Sequence, residues 1–316
     1  MNSYEIFEYY RTHTSLNSED MADFHVYTQD PVNTLDGMMA IAGLTINLLE
    51  NPWNEDNLTI LLTACDGISN LAFERIVVGL LLTLMVHDQH IRHNQNLLDD
   101  IQEILTFAPE LSFTALCNIA RTTHMKRLEL FNQQLSQELL PLIHDKSSNE
   151  FYDIIQSRQS EMEEIARMNL DQNFLLFRDF YNNPFFQERA YNWLLPWDDN
   201  ALLNIDEDDR EELADFLQIW SLCDSDKYAL CHMYKAFKGI LKSQLSVDSL
   251  REVGLNVQNK NIITNAYIQQ LYRYFRLSKF AKSQPFDMAH KMRDLIVYRL
   301  VVVGELAQKN IGNLLI

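Results

Sequence analysis

Glycine and proline are scarce in this chain, with 8 and 7 copies among 316 residues. Tight hairpins rely on such residues, and turn dipeptides such as Asn-Gly flanked by alternating apolar residues are absent. No two glycines lie within three positions of each other, so the sequence has no Gly-rich phosphate-binding loop, and it has no Gly-x-Ser-x-Gly motif. These absences argue against a sheet-rich fold and against the standard nucleotide-binding and serine-hydrolase sites.

Cysteines and long apolar runs are also few. The longest apolar run, from Ile76 to Val86, has eleven residues, which is too short to span a bilayer and is typical of a buried helix. The first ten residues lack the basic and then apolar pattern of a signal peptide. The four cysteines have no Cys-x-x-Cys spacing and lie in apolar helical runs: Cys65, Cys117, Cys223 and Cys231. The sequence therefore predicts buried thiols, a cytoplasmic location and no membrane partner.

Basic residues are outnumbered, and the net charge is −18. The imbalance is uneven, because the chain after residue 227 carries 13 Lys and Arg against 5 Asp and Glu, whereas the preceding part carries 13 against 39. Two explanations stay open at this stage. The basic third docks against the acidic part of the same molecule or of a neighbour, or it binds an anionic partner.

Helical periodicity runs through almost every segment and predicts an all-α fold, arranged as a two-layer helical array of the α-solenoid type, similar to HEAT or tetratricopeptide repeats. No consensus recurs at a fixed period. Residues 54–65 and 70–86 form a predicted antiparallel pair. Ser112 is the predicted N-cap of a long helix that reaches Leu139, and a second long helix is predicted from Phe151 towards Tyr181.

An aromatic stretch, NNPFFQERAYNWLLPWDDN at 182–200, separates two helical parts. The sequence predicts an acidic N-terminal helical array (1–181), an aromatic and acidic connecting segment (182–209) and a C-terminal helical part with a basic balance (210–316). Prolines interrupt helices, so we interpret the stretch as a structural joint with its rings mostly buried, in preference to a ligand pocket. The joint residues are Pro184, Phe185, Phe186, Trp193, Pro196 and Trp197.

Three histidines in HDQHIRH are the candidate metal ligands. His87 and His90 lie one helical turn apart and are able to share an ion, whereas His93 is one step further round the helix. No acidic or cysteine partner stands at a recognised spacing, so polar residues at a helix end are the favoured interpretation. The acidic stretch WDDNALLNIDEDD lacks the ligand pattern of an EF-hand loop. No cofactor is predicted.

Basic and aromatic residues alternate in YRYFRLSKFAK. Its cations recur at steps of three and form the candidate face for an anionic partner: Arg273, Arg276, Lys279 and Lys282. The neighbouring rings are able to stack on bases, which gives a nucleic-acid hypothesis. An amphipathic helix with buried rings and solvated cations is the favoured alternative, because the acidic chain repels phosphate elsewhere.

Three stretches occur in the order FERIVVGLLLTLMVHDQHI, FYNNPFFQERAYNWLLPW and QQLYRYFRLSKFAKSQPFD. Together they resemble the helical region that precedes the tetratricopeptide repeats in a family of large, poorly characterised cytoplasmic proteins of Bacteroidetes. The distinctive mark of that family corresponds here to Pro184, Phe185, Phe186, Asn192, Trp193, Pro196 and Trp197. The resemblance covers roughly 35–287 and implies a helical scaffold without catalytic residues. No tetratricopeptide consensus follows Pro285, so the chain is expected to be a fragment or a short relative.

Three functions follow as hypotheses. The leading one is a non-enzymatic helical scaffold that binds another protein or itself. The second is a nucleic-acid or ribosome-associated factor that uses the basic C-terminal third. The third is an enzyme with a histidine metal site at 87–93.

Overall fold

Every regular element in the described part of the chain is a helix, and the all-α prediction is confirmed. The computed structural model describes residues 1–29, 34–65, 70–145, 148–168, 170–219, 222–244 and 262–306. Its α-helices are α1 (Ser3–Thr12), α2 (Ser18–Gln29), α3 (Thr34–Glu50), α4 (Glu55–Thr63), α5 (Asn70–Val86), α6 (Asp88–Ile91), α7 (Gln95–Phe107), α8 (Pro109–Arg121), α9 (Met125–Asp145), α10 (Ser148–Arg167), α11 (Gln172–Phe177), α12 (Pro184–Glu188), α13 (Glu207–Ile219), α14 (Asp224–Gln244), α15 (Ile262–Leu277) and α16 (Ile296–Leu306). Short 3₁₀ helices cover Thr122–His124, Arg178–Asn182, Ala190–Trp193, Asp199–Asn204 and Pro285–Asp294.

Asparagine and aspartate side chains begin many of these helices. Asn2 accepts a hydrogen bond from the backbone N–H of Glu5, whose side chain in turn accepts from the N–H of Asn2. Asn94 caps α7 in the same manner through the N–H of Leu97. Such caps satisfy donors that the first helical turn leaves unpaired, so short polar residues before apolar runs fix where each helix begins.

The two long predicted helices are each broken in two. Ser112 is not an N-cap, because α8 already begins at Pro109 and the Ser112 hydroxyl donates to the carbonyl oxygen of Leu105 at 3.0 Å. Proline suits the first position of a helix, where its missing N–H is not needed. The predicted helix from Phe151 ends at Arg167, and Asp171 then caps α11 by accepting from the N–H of Phe174 at 3.2 Å.

Helix α5 lies at the centre of the molecule. It packs against α3, α8, α15, α16 and the 3₁₀ helix Pro285–Asp294. The apolar run predicted as a buried helix is therefore covered on most sides, and Ile76, Leu80 and Leu84 have no exposed surface. No helix in the described ranges is long and apolar enough to cross a membrane.

Helices from the beginning and the end of the chain meet on α5, and this order differs from a solenoid. A solenoid repeat contacts only its neighbours in sequence, whereas α15 and α16 pack on α5 and α8. The helical array is thus confirmed without its predicted solenoid order. Buried side chains from all three predicted segments, such as Phe7, Trp193 and Phe275, belong to one hydrophobic cluster. The three-part division stays a prediction.

Buried amides fasten the end of α1 to α3 and α4. Asn47 donates to the carbonyl oxygens of Tyr10 at 2.8 Å and His13 at 2.7 Å, while its own oxygen accepts from Asn57 at 3.0 Å. The Asn57 oxygen accepts from the N–H of Leu16 at 3.2 Å. Carbonyls at the C-terminal end of α1 are thus paired although they are removed from water.

Two glycines allow helices to cross closely. A Cβ atom on Gly43 would lie 2.5 Å from the carbonyl oxygen of Phe7 in α1. A Cβ atom on Gly79 would lie 2.5 Å from the Oγ1 atom of Thr45 in α3. The obstacle is backbone in the first case and a side chain in the second, and this difference provides a test.

We expect Gly43→Ala to lower the free energy of unfolding by about 2 kcal/mol, because overpacking against backbone costs up to about 3 kcal/mol and alanine regains about 1 kcal/mol of helix propensity. Urea unfolding measures this change. Gly79→Ala should cost less in a Thr45→Ala background than in the natural one, whereas the Gly43→Ala loss should not depend on residue 45. Equal losses in both backgrounds for Gly79→Ala would show that the crossing is not limited by Thr45.

Candidate functional site

Arg273 does not lie on an exposed basic face, and this corrects the predicted stripe. Its side chain has no exposed surface and binds two carboxylates. Nε and Nη2 donate to Asp226 at 2.8 and 2.7 Å, and Nη1 donates to Asp171 at 2.6 Å. Nη1 also donates to the carbonyl oxygen of Gln269 at 3.1 Å. Helix α15 is buried around this position, so a cation there needs internal partners.

A chain of hydroxyl groups extends the cluster. The Tyr181 hydroxyl donates to Asp226 at 2.7 Å and lies 3.0 Å from the hydroxyl oxygen of Ser225. The Ser225 hydroxyl lies 3.3 Å from the sulfur of Cys223. Tyr181, Ser225, Asp226 and Cys223 are all buried, so the cluster joins α11, the 3₁₀ helix at Arg178–Asn182, α14 and α15 away from solvent.

The electrostatics of the cluster favour a structural role. Burial raises the pKa of Asp226 above its ordinary value, although the Arg273 guanidinium opposes this shift. The two carboxylates hold the pKa of Arg273 well above its usual range against the effect of burial. Burial also raises the pKa values of the Cys223 thiol and the Tyr181 hydroxyl well above normal, so both stay protonated and neither is an activated nucleophile.

The rest of the predicted basic stripe lies nearer the surface. Arg276 is half-buried, and Lys279 and Lys282 are exposed. The backbone N–H of Lys282 donates to the Glu50 carboxylate at 2.8 Å. Of the two explanations for the uneven charge, docking against the acidic part of the same molecule is observed at Arg273, which pairs with Asp171 and Asp226.

The aromatic joint is buried at its centre. Phe186 and Trp193 have no exposed surface, as predicted, and Trp193 donates to the carbonyl oxygen of Phe186 at 2.8 Å. Trp193 stacks on Tyr181, with ring centroids 5.0 Å apart, and meets Tyr274 of α15 edge to face. Tyr191 packs in the same way against Phe7 of α1. The joint therefore connects α1, α15 and the arginine cluster.

At the margins of the joint, Phe185, Pro196 and Trp197 are half-buried and Pro184 is exposed. Phe185 stacks on His232 with centroids 4.4 Å apart, and the Trp197 indole donates to Asp199 at 2.7 Å. Pro184 occupies the first turn of α12, and the carbonyl oxygen of Pro196 accepts from Tyr228 at 2.9 Å. Pro184 thus begins α12, and Pro196 follows the end of the 3₁₀ helix Ala190–Trp193.

His87 and His90 both contact Trp53, with their own ring centroids 6.3 Å apart, but they differ in exposure. His87 is buried, and its Nε2 atom lies 2.6 Å from the carbonyl oxygen of Leu48, which occupies that nitrogen. His90 is exposed and stacks on Trp53 with centroids 5.7 Å apart, while His93 is also exposed. In the described parts of the chain, no three His, Cys, Asp or Glu side chains are grouped so as to hold a metal ion.

An exposed helical hairpin of α9 and α10 was not anticipated as a unit. Arg127 binds Glu164 through two hydrogen bonds of 2.8 and 2.7 Å, and Arg158 pairs with Glu138, so the helices are antiparallel. At the base of the hairpin, three apolar side chains are buried: Leu128, Phe131 and Ile165. None of the described side chains in 132–138 and 153–164 is buried.

Comparison of the chain with protein-family models, curated proteins and solved structures finds no match.

We expect Arg273→Met to lower the free energy of unfolding by about 3–5 kcal/mol, because it leaves a buried carboxylate without its counter-ion. Without Arg273 the pKa of Asp226 rises further, so the native variant holds a proton that the unfolded chain has released above about pH 4. The difference from the natural protein should therefore grow as the pH rises from about 4. Urea unfolding at several pH values measures it.

Arg276→Met is the matched control, because Arg276 lies on the same helix but is only half-buried. Its effect should stay within about 0.5 kcal/mol at every pH. Similar losses for the two variants would contradict the role assigned to the buried cluster.

His87 provides a pH-dependent test. Burial lowers its pKa, as does His90, and the hydrogen bond to Leu48 opposes the shift. The unfolded chain therefore binds more protons below about pH 6.5, and stability is lost as the pH falls through that value. His87→Gln should lose less stability between about pH 7.5 and 5.5 than the natural protein, as measured by urea unfolding. His93→Gln, at an exposed position, should retain the natural pH dependence, and a matching change in both variants would count against this assignment.

Proposed function

We propose that the protein is a non-enzymatic helical scaffold and that the α9–α10 hairpin binds another protein. The observation that carries this proposal is that none of the described side chains in 132–138 and 153–164 of the hairpin is buried. Helices of 21 and 20 residues extend about 30 Å, which is about the diameter of a small domain. Such an arm offers a partner long helical faces on a fixed base.

Apolar side chains on the hairpin support binding. Leu130 is 59% exposed and Met162 is 38% exposed. Because Arg127 pairs with Glu164, these two residues lie at about the same height on the antiparallel helices. Covering a leucine or methionine side chain contributes roughly 1.5–3 kcal/mol, so each of these side chains is large enough to act as an anchor for a partner.

The cytoplasmic location belongs to the proposal. The four cysteines form no disulfide, and Cys223 and Cys231 are buried while Cys65 and Cys117 are half-buried, which is typical of a reducing compartment. For the nucleic-acid hypothesis, Arg273 is not accessible, whereas Lys279 and Lys282 of the predicted stripe are exposed. For the metal-enzyme hypothesis, Nδ1 is the nitrogen of His87 that remains, because Nε2 already pairs with the carbonyl oxygen of Leu48.

Site-specific photo-cross-linking tests the proposal in the cells that make the protein. We expect a photoreactive residue at position 130 or 162 to capture a defined partner, and the same residue at position 203 to capture much less. Leu203 is a suitable control because it is 64% exposed but lies outside the hairpin.

Leu130→Ser with Met162→Ser should weaken binding of the captured partner by at least tenfold, because each anchor is worth more than about 1 kcal/mol. The free energy of unfolding should change by no more than about 0.5 kcal/mol for such exposed positions. Leu176→Ser with Leu203→Ser is the control pair. A product of two copies of this chain would identify self-association, whereas equal capture at positions 130 and 203 would refute the hairpin as the binding arm.

A further inference from the structure

An uncharged band crosses the exposed surface of the α9–α10 hairpin. The only charged residue in 131–137 and 154–160 is Arg158, which is half-buried and pairs with Glu138 and, at 3.1 Å, with Glu161. Eight described side chains in these two ranges are exposed, and every one is glutamine or serine: Gln133, Gln134, Ser136, Gln137, Gln156, Ser157, Gln159 and Ser160. This part of the hairpin therefore presents no charge to solvent.

The band differs from the acidic surface elsewhere in the chain. The net charge is −18, and helix α7, for comparison, exposes Asp99, Asp100 and Glu103 and contains no Lys or Arg. Two copies of such a chain repel each other wherever acidic surfaces meet. An uncharged band is a surface on which two copies approach each other without this repulsion.

Helix α9 carries part of the band on a single face. Leu130, Gln133, Gln134 and Gln137 follow the i, i+3, i+4, i+7 pattern of one helical face, and all four side chains are exposed. The face therefore combines one apolar side chain with three amides that are accessible to a partner.

We propose that this face of α9 binds the same face of a second copy of the chain. A glutamine amide both donates and accepts hydrogen bonds, so a face of glutamines is complementary to itself, as a two-fold interface requires. With the two helices antiparallel and the axis between Gln133 and Gln134, Leu130 of each copy lies against Gln137 of the other. This inference rests on the proposed function, because it names the partner of the hairpin.

The charge of the chain favours a second copy over a basic partner protein. A basic protein is attracted to acidic surfaces such as that of α7, and it gains no charge complementarity from a band of glutamine and serine. A second copy has the opposite requirement, because it has to avoid acidic surfaces. The uncharged band meets this requirement.

Sedimentation velocity of the full chain, at concentrations up to about 1 mM, tests the association. We expect a monomer–dimer equilibrium whose Kd stays constant or falls as sodium chloride rises from about 50 to 500 mM, because salt screens the repulsion between two acidic copies. A chain that is monomeric at every concentration would overturn the proposal. A Kd that rises with salt would also overturn it, because ion pairs between the basic third and an acidic neighbour would then hold the dimer.

A charge exchange at the axis tests the face itself. Gln133→Glu with Gln134→Glu should weaken the dimer by at least about tenfold, because like charges then face each other, and Gln133→Lys with Gln134→Lys should do the same. An equal mixture of the two variants should associate again as a mixed dimer. Glutamine, glutamate and lysine have similar helix propensities, so the hairpin should keep its fold.

Gln156→Glu with Gln159→Glu is the matched control, because it adds the same charge to α10. It should change the Kd by no more than about twofold at physiological salt, where exposed charges are largely screened. A loss as large as that of the Gln133 and Gln134 variants would contradict the assignment to α9. Unchanged association in those variants, or a mixture of them that stays monomeric, would also overturn the proposal.

Failure of this inference is distinguishable from failure of the proposed function. If the chain is monomeric but a photoreactive residue at position 130 captures a different protein, the second-copy inference is wrong and the proposed function stands. If position 130 captures no more than position 203, both are wrong, because a dimer through α9 would itself be captured at position 130.

Discussion

The bidentate pair between Arg273 and Asp226, completed by Asp171, is the interaction on which the arrangement of the helices depends. Asp171 caps α11, and Asp226 lies in the first turn of α14. Both carboxylates therefore stand where a helix dipole is positive, and Arg273 brings these two helix starts to α15. A buried ion pair often adds little net stability, but a partner lost from it is costly. The cluster thus penalises any other arrangement of these three helices.

The aromatic joint acts beside this cluster because Tyr181 belongs to both. Its hydroxyl binds Asp226, while its ring stacks on Trp193. The joint therefore covers the arginine cluster with apolar surface and continues to α1 through Tyr191. Excluding water from the cluster strengthens its charged hydrogen bonds, so apolar packing and ion pairing depend on each other here.

Local patterns in the sequence predict where the helices lie better than they predict which helices pack together. The apolar run Ile76–Val86 and the breaks at the prolines are recognisable because they depend on nearby residues. The start of α11 could have been predicted from Asp171, because aspartate is a typical N-cap residue. Arg273 could not be placed in this way, because its partners lie 47 and 102 residues away. A stripe of cations predicts an exposed face only for a helix that has a solvated side, and α15 is buried around Arg273.

The α9–α10 hairpin is stabilised by different interactions from the rest of the molecule. Its base is anchored by Leu128, Phe131 and Ile165, and ion pairs also join the two helices: Arg127–Glu164 at the base and Arg158–Glu138 further along. Such pairs near the surface contribute little in water. Two helices also cannot cover all of each other's apolar surface, which leaves Leu130 and Met162 in solvent. A partner that covers these side chains adds burial that the hairpin lacks. The rest of the molecule is therefore specified by buried contacts within the chain, whereas the described part of the hairpin beyond its base has few of them and is expected to open more easily.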